Sequence, residues 1–381
     1  MRSNGRERCQ PGAASSTRQL RGKRTVLAGA AALTISVSGW PAVASASTSP
    51  PSLASVTIKV ATYPLEGDDV LLKAAGLYDT PYNVQYEYLA SGALQSEAVN
   101  AGTADIGRAS GISNALLAAS GDKNWLSVAS LRIGTDEQDT VVMKSSGITS
   151  VAQLKGKQVG YVPDTTPQYF LDKQLQAAGL NWNSIHAVPF TQPTSGLAAL
   201  IAGDISAFAT FGNVATAESK GATILASGGP YLSGVFGGLQ ATYNEYKGDL
   251  NNSAKDAAIA DFISRVDTAL AWARSHPTQY ASILAKNLNE PPSIALADFE
   301  AGEESSNSWV GPNSAAAVTS EQGYASAFES IGVIHGALNI TGTFTNQLSS
   351  AIAADEAKYQ TEFPSYFVVP AYAKSGEPKN S

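Results

Sequence analysis

DTVVMKSSGITSVAQLKGKQVGYVPDTTPQYFLDKQLQAAGL, residues 139–180, decides the fold class. Thr140 to Lys144 reads as a strand, and Val151 to Leu154 as a short helix. Gln158 to Val162 reads as a second strand, followed by a polar loop and an amphipathic helix. In that helix Thr166 is the expected N-cap and Pro167 suits the first helical position, where a missing N–H is no loss. Leu171, Leu175 and Ala178 repeat on one face and Gly179 closes the helix. The helix start leaves the Gln168 and Tyr169 N–H groups beside the Thr165 and Thr166 hydroxyls, at an end that favours anions. The same residues also read as an ordinary capped helix of an α/β domain.

Outward from this stretch the same alternation recurs. Val56 to Ala61 and Tyr82 to Leu89 read as strands, with a helix over Asp69 to Ala75 between them. Ser91-Gly92 opens a helix ended by Gly102, and Asp105-Ile106-Gly107 begins a strand. Ser110-Gly111 opens another helix, and Trp125 to Ser130 is a further strand. After the central stretch come a strand at Ser184 to Val188, a helix opened by Thr194-Ser195-Gly196, and a strand at Ser206 to Thr210. Strand–helix alternation at short spacing predicts mainly parallel, helix-covered sheets. Ala101-Gly102-Thr103-Ala104-Asp105-Ile106 and Ala202-Gly203-Asp204-Ile205 share one grammar, which supports two lobes of similar build. From Leu239 helices dominate: Ala254 to Ser275, Pro277 to Leu288, Ser293 to Glu300, Ser320 to Ile331 and Thr345 to Tyr359.

The N-terminus reads as an export signal. Residues 1–24 hold seven basic residues and one acid, an apolar run spans Val26 to Val37, and Ala44-Ser45-Ala46 offers a cleavage site. Cleavage after Ala46 is expected, with 47–55 a linker and a periplasmic or secreted mature protein. The apolar run is short for a membrane span. The single cysteine, Cys9, precedes that run, so the mature chain would hold no disulfide and no thiolate site. Loss of the leader takes the formal charge of −7 to about −13. An acidic chain with no basic run argues against nucleic acid and anionic membrane as partners. The roughly 335 mature residues exceed one ordinary core, so two lobes are expected.

His186, His276 and His335 are scattered, and no metal site or cofactor is expected. Nucleophile-elbow, Walker A and dinucleotide motifs are missing from the sequence. Glu303-Glu304 could form an acid/base pair but reads first as a solvated helix face. Ser, Thr and Gly at helix starts bind a ligand without transforming it.

Three segments carry a family resemblance. They are Ala101-Gly102-Thr103-Ala104-Asp105-Ile106-Gly107, the run Ile148 to Gly160, and Phe170 to Leu180 followed by Ala202 to Ala207. With them the chain resembles the periplasmic substrate-binding proteins of ABC importers, in the aliphatic sulfonate, taurine and nitrate group. Gln153 stands where that family usually has Asp, and Thr210-Phe211-Gly212-Asn213 where relatives often carry Trp-Asp-Pro. The resemblance implies an α/β, bilobal periplasmic-binding-protein fold of type II, two lobes on two hinge strands with extra C-terminal helices. The hinges fall near Gln138 to Lys144 and Leu239 to Tyr243. Lobe 1 is then 56–143 and 239–370, lobe 2 is 144–238, and 371–381 is a disordered tail.

The function implied is capture of a small anionic organic ligand, sulfonate- or taurine-like or nitrate-like, in the cleft between the lobes. Its partners would be the cognate ABC permease and its ATPase, with the binding protein acting as a monomer. The alternatives are a cysteine-independent lyase or hydrolase on this scaffold, or a binder of a pyrimidine or aromatic acid. Related scaffolds host desulfinases and a pyrimidine-forming enzyme, both of which normally use cysteine. The first lobe offers Tyr63, Ser91, Gly92, Arg108, Ser110 and Gly111 as ligand contacts. The second offers Thr165, Thr166, Gln168 and Tyr169 with Phe211, and Trp309 could cover the ligand. Arg108 suits a sulfonate or, equally, an ion pair on the surface or between the lobes.

Overall fold

A computed structural model of the chain describes residues 52–121, 123–233, 239–304, 307–330 and 332–367. The expected leader (1–46), the linker up to residue 51 and the tail (371–381) lie outside the described residues. In chain order come β1 (Thr57–Thr62), α1 (Asp68–Ala74), β2 (Asn83–Tyr88), α2 (Gly92–Ala101), β3 (Ile106–Ser110), α3 (Gly111–Ala119) and β4 (Trp125–Ile133). Then follow β5 (Gln138–Met143), β6 (Gln158–Tyr161), α4 (Thr166–Ala177), β7 (His186–Pro189), α5 (Pro193–Ala202), β8 (Ala207–Phe211), α6 (Val214–Ser219), β9 (Ala222–Ser227) and α7 (Gly229–Leu232). The last part holds β10 (Leu239–Tyr246), α8 (Ser253–Ser275), α9 (Pro277–Leu288), α10 (Pro292–Glu304), β11 (Trp309–Gly311), α11 (Ala315–Ser330) and α12 (Ser349–Glu362).

These strands form two sheets, one ordered β11-β4-β10-β3-β1-β2 and the other β7-β6-β8-β5-β9. The expectation of mainly parallel sheets needs correction. β1 pairs in parallel with β2 and β3, and β6 with β7 and β8. β10, however, is antiparallel to β3 and β4, and β5 is antiparallel to β8 and β9. A helical crossover returns the chain to the start of the next strand and gives parallel pairing. β5 and β10 arrive from the opposite sheet without such a crossover, and they run the other way.

The repeated sequence grammar has a structural cause. α2 and α5 both end on a glycine in the left-handed region, Gly102 at φ 73° and Gly203 at φ 83°. A side chain is disfavoured there, and the turn feeds the next strand directly. Helix α8 is capped by Asn252, whose side chain accepts from the Lys255 N–H, and it lays Ile259, Phe262, Ile263 and Val266 into the core of the six-stranded half. Helix α11 starts earlier than expected because Ser314 caps it, its hydroxyl accepting from the Ala317 N–H at 3.1 Å. Glu303 is also a correction: it is buried, and its carboxylate accepts from the Ser308 N–H at 2.8 Å. It ties the end of α10 to Ser308, just before β11, rather than facing solvent.

A second apolar cluster runs from one half into the other. Ile112, Trp125, Tyr324 and Phe328 lie in the same core as Val159, Phe170 and Leu171. Among the described residues no helix is long and apolar enough to cross a membrane.

Candidate functional site

The strand ends of both sheets meet at one cavity of about 80 Å³. On the same measure one water occupies about 10–15 Å³, so the space suits roughly five to eight water-sized groups. Tyr63, Gly92, Arg108, Ser110 and Ser113 line it from the six-stranded half. Thr165, Thr166 and Phe211 line it from the other half, and Ile133, Gln138, Leu239 and Ala241 form a wall where the chain passes between the halves. Parallel strands place their C-terminal ends at the cleft, so Tyr63, Arg108 and Phe211 arrive there by topology.

Arg108 is the charged side chain among these lining residues. Its guanidinium lies 5.8 Å from the Tyr63 ring centroid, within cation–π range. Its Nη1 is 3.5 Å from Oδ1 of Asp68, a carboxylate with no exposure to solvent. Tyr243 donates its hydroxyl to the same oxygen at 3.0 Å, and the Asp68 N–H donates to Thr62 at 2.8 Å. Burial pushes the Asp68 carboxyl up and Arg108 pulls it back down. Burial likewise works against the Arg108 cation, but the neighbouring Tyr243 and Asp68 outweigh it and the guanidinium is held charged. The partner of Arg108 thus lies within its own half, buried behind the pocket wall.

The opposite wall corrects the expected helix start. The N-cap position is Thr165, the helix begins at Thr166, and Pro167 follows. Neither hydroxyl caps the helix. Thr165 donates to the Val162 carbonyl at 2.7 Å, and Thr166 donates to Gln138 Oε1 at 2.5 Å. With these protons engaged, the wall offers hydroxyl lone pairs together with the N–H groups that every helix leaves unbonded in its first turn.

The remaining expected residues are placed differently. Ser91 caps α2, accepting from the Leu94 N–H at 3.3 Å, and it is Gly92 that lines the pocket. Gly111 gives close packing, since a Cβ there would sit 2.5 Å from Cγ of Glu321. Gln168 turns back to accept from the Asp164 N–H at 2.8 Å. Tyr169 is buried against Tyr324 and Phe328, with ring centroids at 5.7 and 5.5 Å. Trp309 pairs with Arg132 on β4 at the edge of the sheet and is not among the lining residues.

Sequence reasoning missed Ser113, Ile133, Gln138, Leu239 and Ala241 as pocket residues. A signal existed for Gln138 and Leu239, because both open stretches expected to link the lobes. Asp68 was missed as well; its only local mark is a place in the first turn of α1.

Polar bridges span the cleft beside the pocket. Ser113 donates to the Asp164 carbonyl at 2.7 Å. On the flank, Asp298 of α10 accepts from the Ala215 N–H at 2.7 Å and from the Thr216 hydroxyl at 3.1 Å. Glu290 accepts from Thr216 at 2.8 Å, and Tyr324 donates to the Leu232 carbonyl at 2.7 Å. Among the described residues no group of His, Cys, Asp and Glu could hold a metal ion.

Residues 83–232 match a family model described as NMT1/THI5 like. No curated protein matches the chain. Among solved structures, the periplasmic aliphatic sulphonate binding protein SsuA from Escherichia coli is 21% identical, at TM-score 0.62, over 74% of this chain and 90% of its own. The alkanesulfonate-binding protein SsuA from Xanthomonas axonopodis pv. citri, bound to MOPS, is 19% identical at TM-score 0.67, over 78% and 99%. The desulfurization enzyme DSZB is 14% identical at TM-score 0.53, over 78% and 99%. The chain therefore has the bilobal periplasmic-binding-protein fold, and within it residues 83–232 are similar to the NMT1/THI5 like family.

Proposed function

We propose that this chain is the solute-binding component of an ABC import system and that it captures a small organic anion of the sulfonate type. The observation that carries the reading is the cavity between the two halves, where one guanidinium faces the unbonded N–H groups of a helix start across a partly apolar wall. A tetrahedral oxyanion suits such donors, and the apolar residues Ile133, Phe211 and Leu239 suit its carbon substituent. Micromolar affinity needs about −8 kcal/mol, and three or four hydrogen bonds to a charged group at roughly 1.5–3 kcal/mol each supply it after ordering costs. The solved neighbours named for sulfonate binding support the ligand class.

In this reading the halves are lobes, and the boundary expected at 143/144 moves back to Gln138, because β5 (Gln138–Met143) pairs with β8 and β9 in the five-stranded sheet. The chain passes between the halves near Gln138 and near Leu239, these crossings act as hinges, and the lobes close on the ligand. Export after Ala46 delivers the mature protein to the periplasm, where it meets a permease. Binding rather than turnover fits the lining, which among the described residues holds no carboxylate, imidazole or thiol.

A thermal-shift screen with methanesulfonate, taurine, nitrate, an aminopyrimidine and benzoate tests the reading. A true ligand at a hundred times its Kd stabilises the protein by about 2.7 kcal/mol. Stabilisation by a sulfonate with no turnover supports a binding protein. Stabilisation by the pyrimidine or benzoate alone, or conversion of any of them, overturns the ligand class or the binding role.

A further inference from the structure

We infer that Asp68 sets the charge the pocket accepts: its buried ion pair with Arg108 restricts the cleft to singly charged or zwitterionic head groups and excludes divalent oxyanions. The inference rests on the anion-binding reading above and adds a selectivity to it.

Among the described residues the lining holds one cation, and that cation is already matched. Asp68 Oδ1 stands 3.5 Å from Arg108 Nη1 and accepts from the Tyr243 hydroxyl, so the carboxylate is fixed directly behind the guanidinium. Asp68 has no solvent exposure, and its other oxygen, Oδ2, has no hydrogen-bond partner. Water therefore does little to screen this charge, and its field reaches the pocket. Arg108 can still donate hydrogen bonds to a ligand, but the pair it forms with Asp68 carries no net charge.

Charge number then decides between oxyanions of one shape. A sulfonate and a sulfate both present a tetrahedral sulfur with at least three oxygens, and they differ by one charge. Desolvation of an ion grows with the square of its charge, whereas attraction by fixed dipoles grows only in proportion to it. A monoanion can be offset by guanidinium donors and the N–H groups of a helix start. A dianion meets about four times the desolvation cost with only twice that attraction, and Asp68 repels its second charge. An amine on the ligand relieves the same imbalance from the other side.

The test is isothermal titration of the full mature chain with methanesulfonate and with sulfate, in wild type, Asp68→Asn and Tyr243→Phe. In wild type methanesulfonate is expected to bind and sulfate to bind at least roughly tenfold more weakly. Asp68→Asn keeps the shape and removes the charge, so sulfate affinity should rise by on the order of ten- to a hundredfold and the selectivity should collapse. Tyr243→Phe removes the hydrogen bond but leaves the charge, so its selectivity should remain that of wild type. An unchanged selectivity in Asp68→Asn overturns the inference while leaving the binding reading intact. Equal loss of selectivity in Tyr243→Phe overturns it too, because the effect would then be one of packing. Wild type that binds neither anion refutes the sulfonate reading of the site, and the inference falls with it.

Discussion

Glu321→Gln should make the protein less stable in acid and more stable in alkali. Glu321 lies on α11 with no solvent exposure, where Oε1 accepts from Asn114 at 2.8 Å and Oε2 has no partner. Burial raises its carboxyl from 4.5 to about 8, and the Asn114 hydrogen bond only partly offsets this. A carboxyl raised in the folded state keeps a proton that the unfolded chain has released. Stability therefore falls as pH rises from about 4.5 to about 8, and the loss is complete above that window. At about 1.4 kcal/mol per unit, that displacement amounts to roughly 5 kcal/mol for this one group. Glutamine keeps the acceptor for Asn114 but buries an amide N–H₂ without a partner, at roughly 1–3 kcal/mol. The variant should be less stable by about that amount below pH 4, and more stable by about 2–4 kcal/mol above pH 9. Urea unfolding of both proteins at pH 4, 7 and 9 measures the difference. Glu245, buried and also raised to about 8, tilts both curves alike and cancels from it. A difference that stays constant across the range refutes the reasoning.

Three further outcomes are expected. Arg108→Met should weaken methanesulfonate binding by at least roughly tenfold, from the loss of a charge-assisted hydrogen bond, and should lower the melting point because Asp68 is left buried without its cation; calorimetry reads both. Thr165→Val with Gln168→Leu removes bonds to the Val162 carbonyl and the Asp164 N–H, so a loss of about 1–3 kcal/mol should appear in the free protein, by urea unfolding, before any ligand is added. Asp298→Ala removes the acceptor shared by Ala215 and Thr216, and small-angle scattering should show a larger radius of gyration in the free protein, which saturating ligand reverses.

Local rules made much of the fold legible, and long-range pairing hid the rest. Gly102 and Gly203 could be read as helix ends because a positive φ is demanded at one residue. The strand directions could not be read that way, since nothing within β10 says that it enters from the other sheet. The same division holds at the site. Arg108, Ser110, Thr165 and Phe211 were legible as residues at strand ends and helix starts. Tyr169 looked equally suited, but Tyr324 and Phe328, more than 150 residues on, draw it into the core. Asp68 was invisible for a similar reason: its bond to Arg108 spans 40 residues and crosses from α1 to β3.

The pocket wall also bears on how ligand and closure are coupled. Gln138 opens β5 and holds the Thr166 hydroxyl, so a ligand against Gln138 and Thr166 presses on the first crossing of the chain. Arg108 and Ser110 pair with Tyr243 and Ala241 on β10, so a ligand held by β3 presses on the second. One solute touching both walls therefore ties the two crossings together through the space between them. The bridges already spanning the cleft, from Ser113, Asp298 and Glu290, contribute only about 0.5–1.5 kcal/mol each as ordinary hydrogen bonds, with somewhat more for the carboxylates. A micromolar ligand brings about 8 kcal/mol, and whatever part of it is specific to the closed form is the most it can add to closure. A ligand that touched Arg108 alone would bind without that difference and would leave the lobes where they were. In the proposed binding role, closure would thus require contacts from the Thr165–Thr166 wall as well as from Arg108.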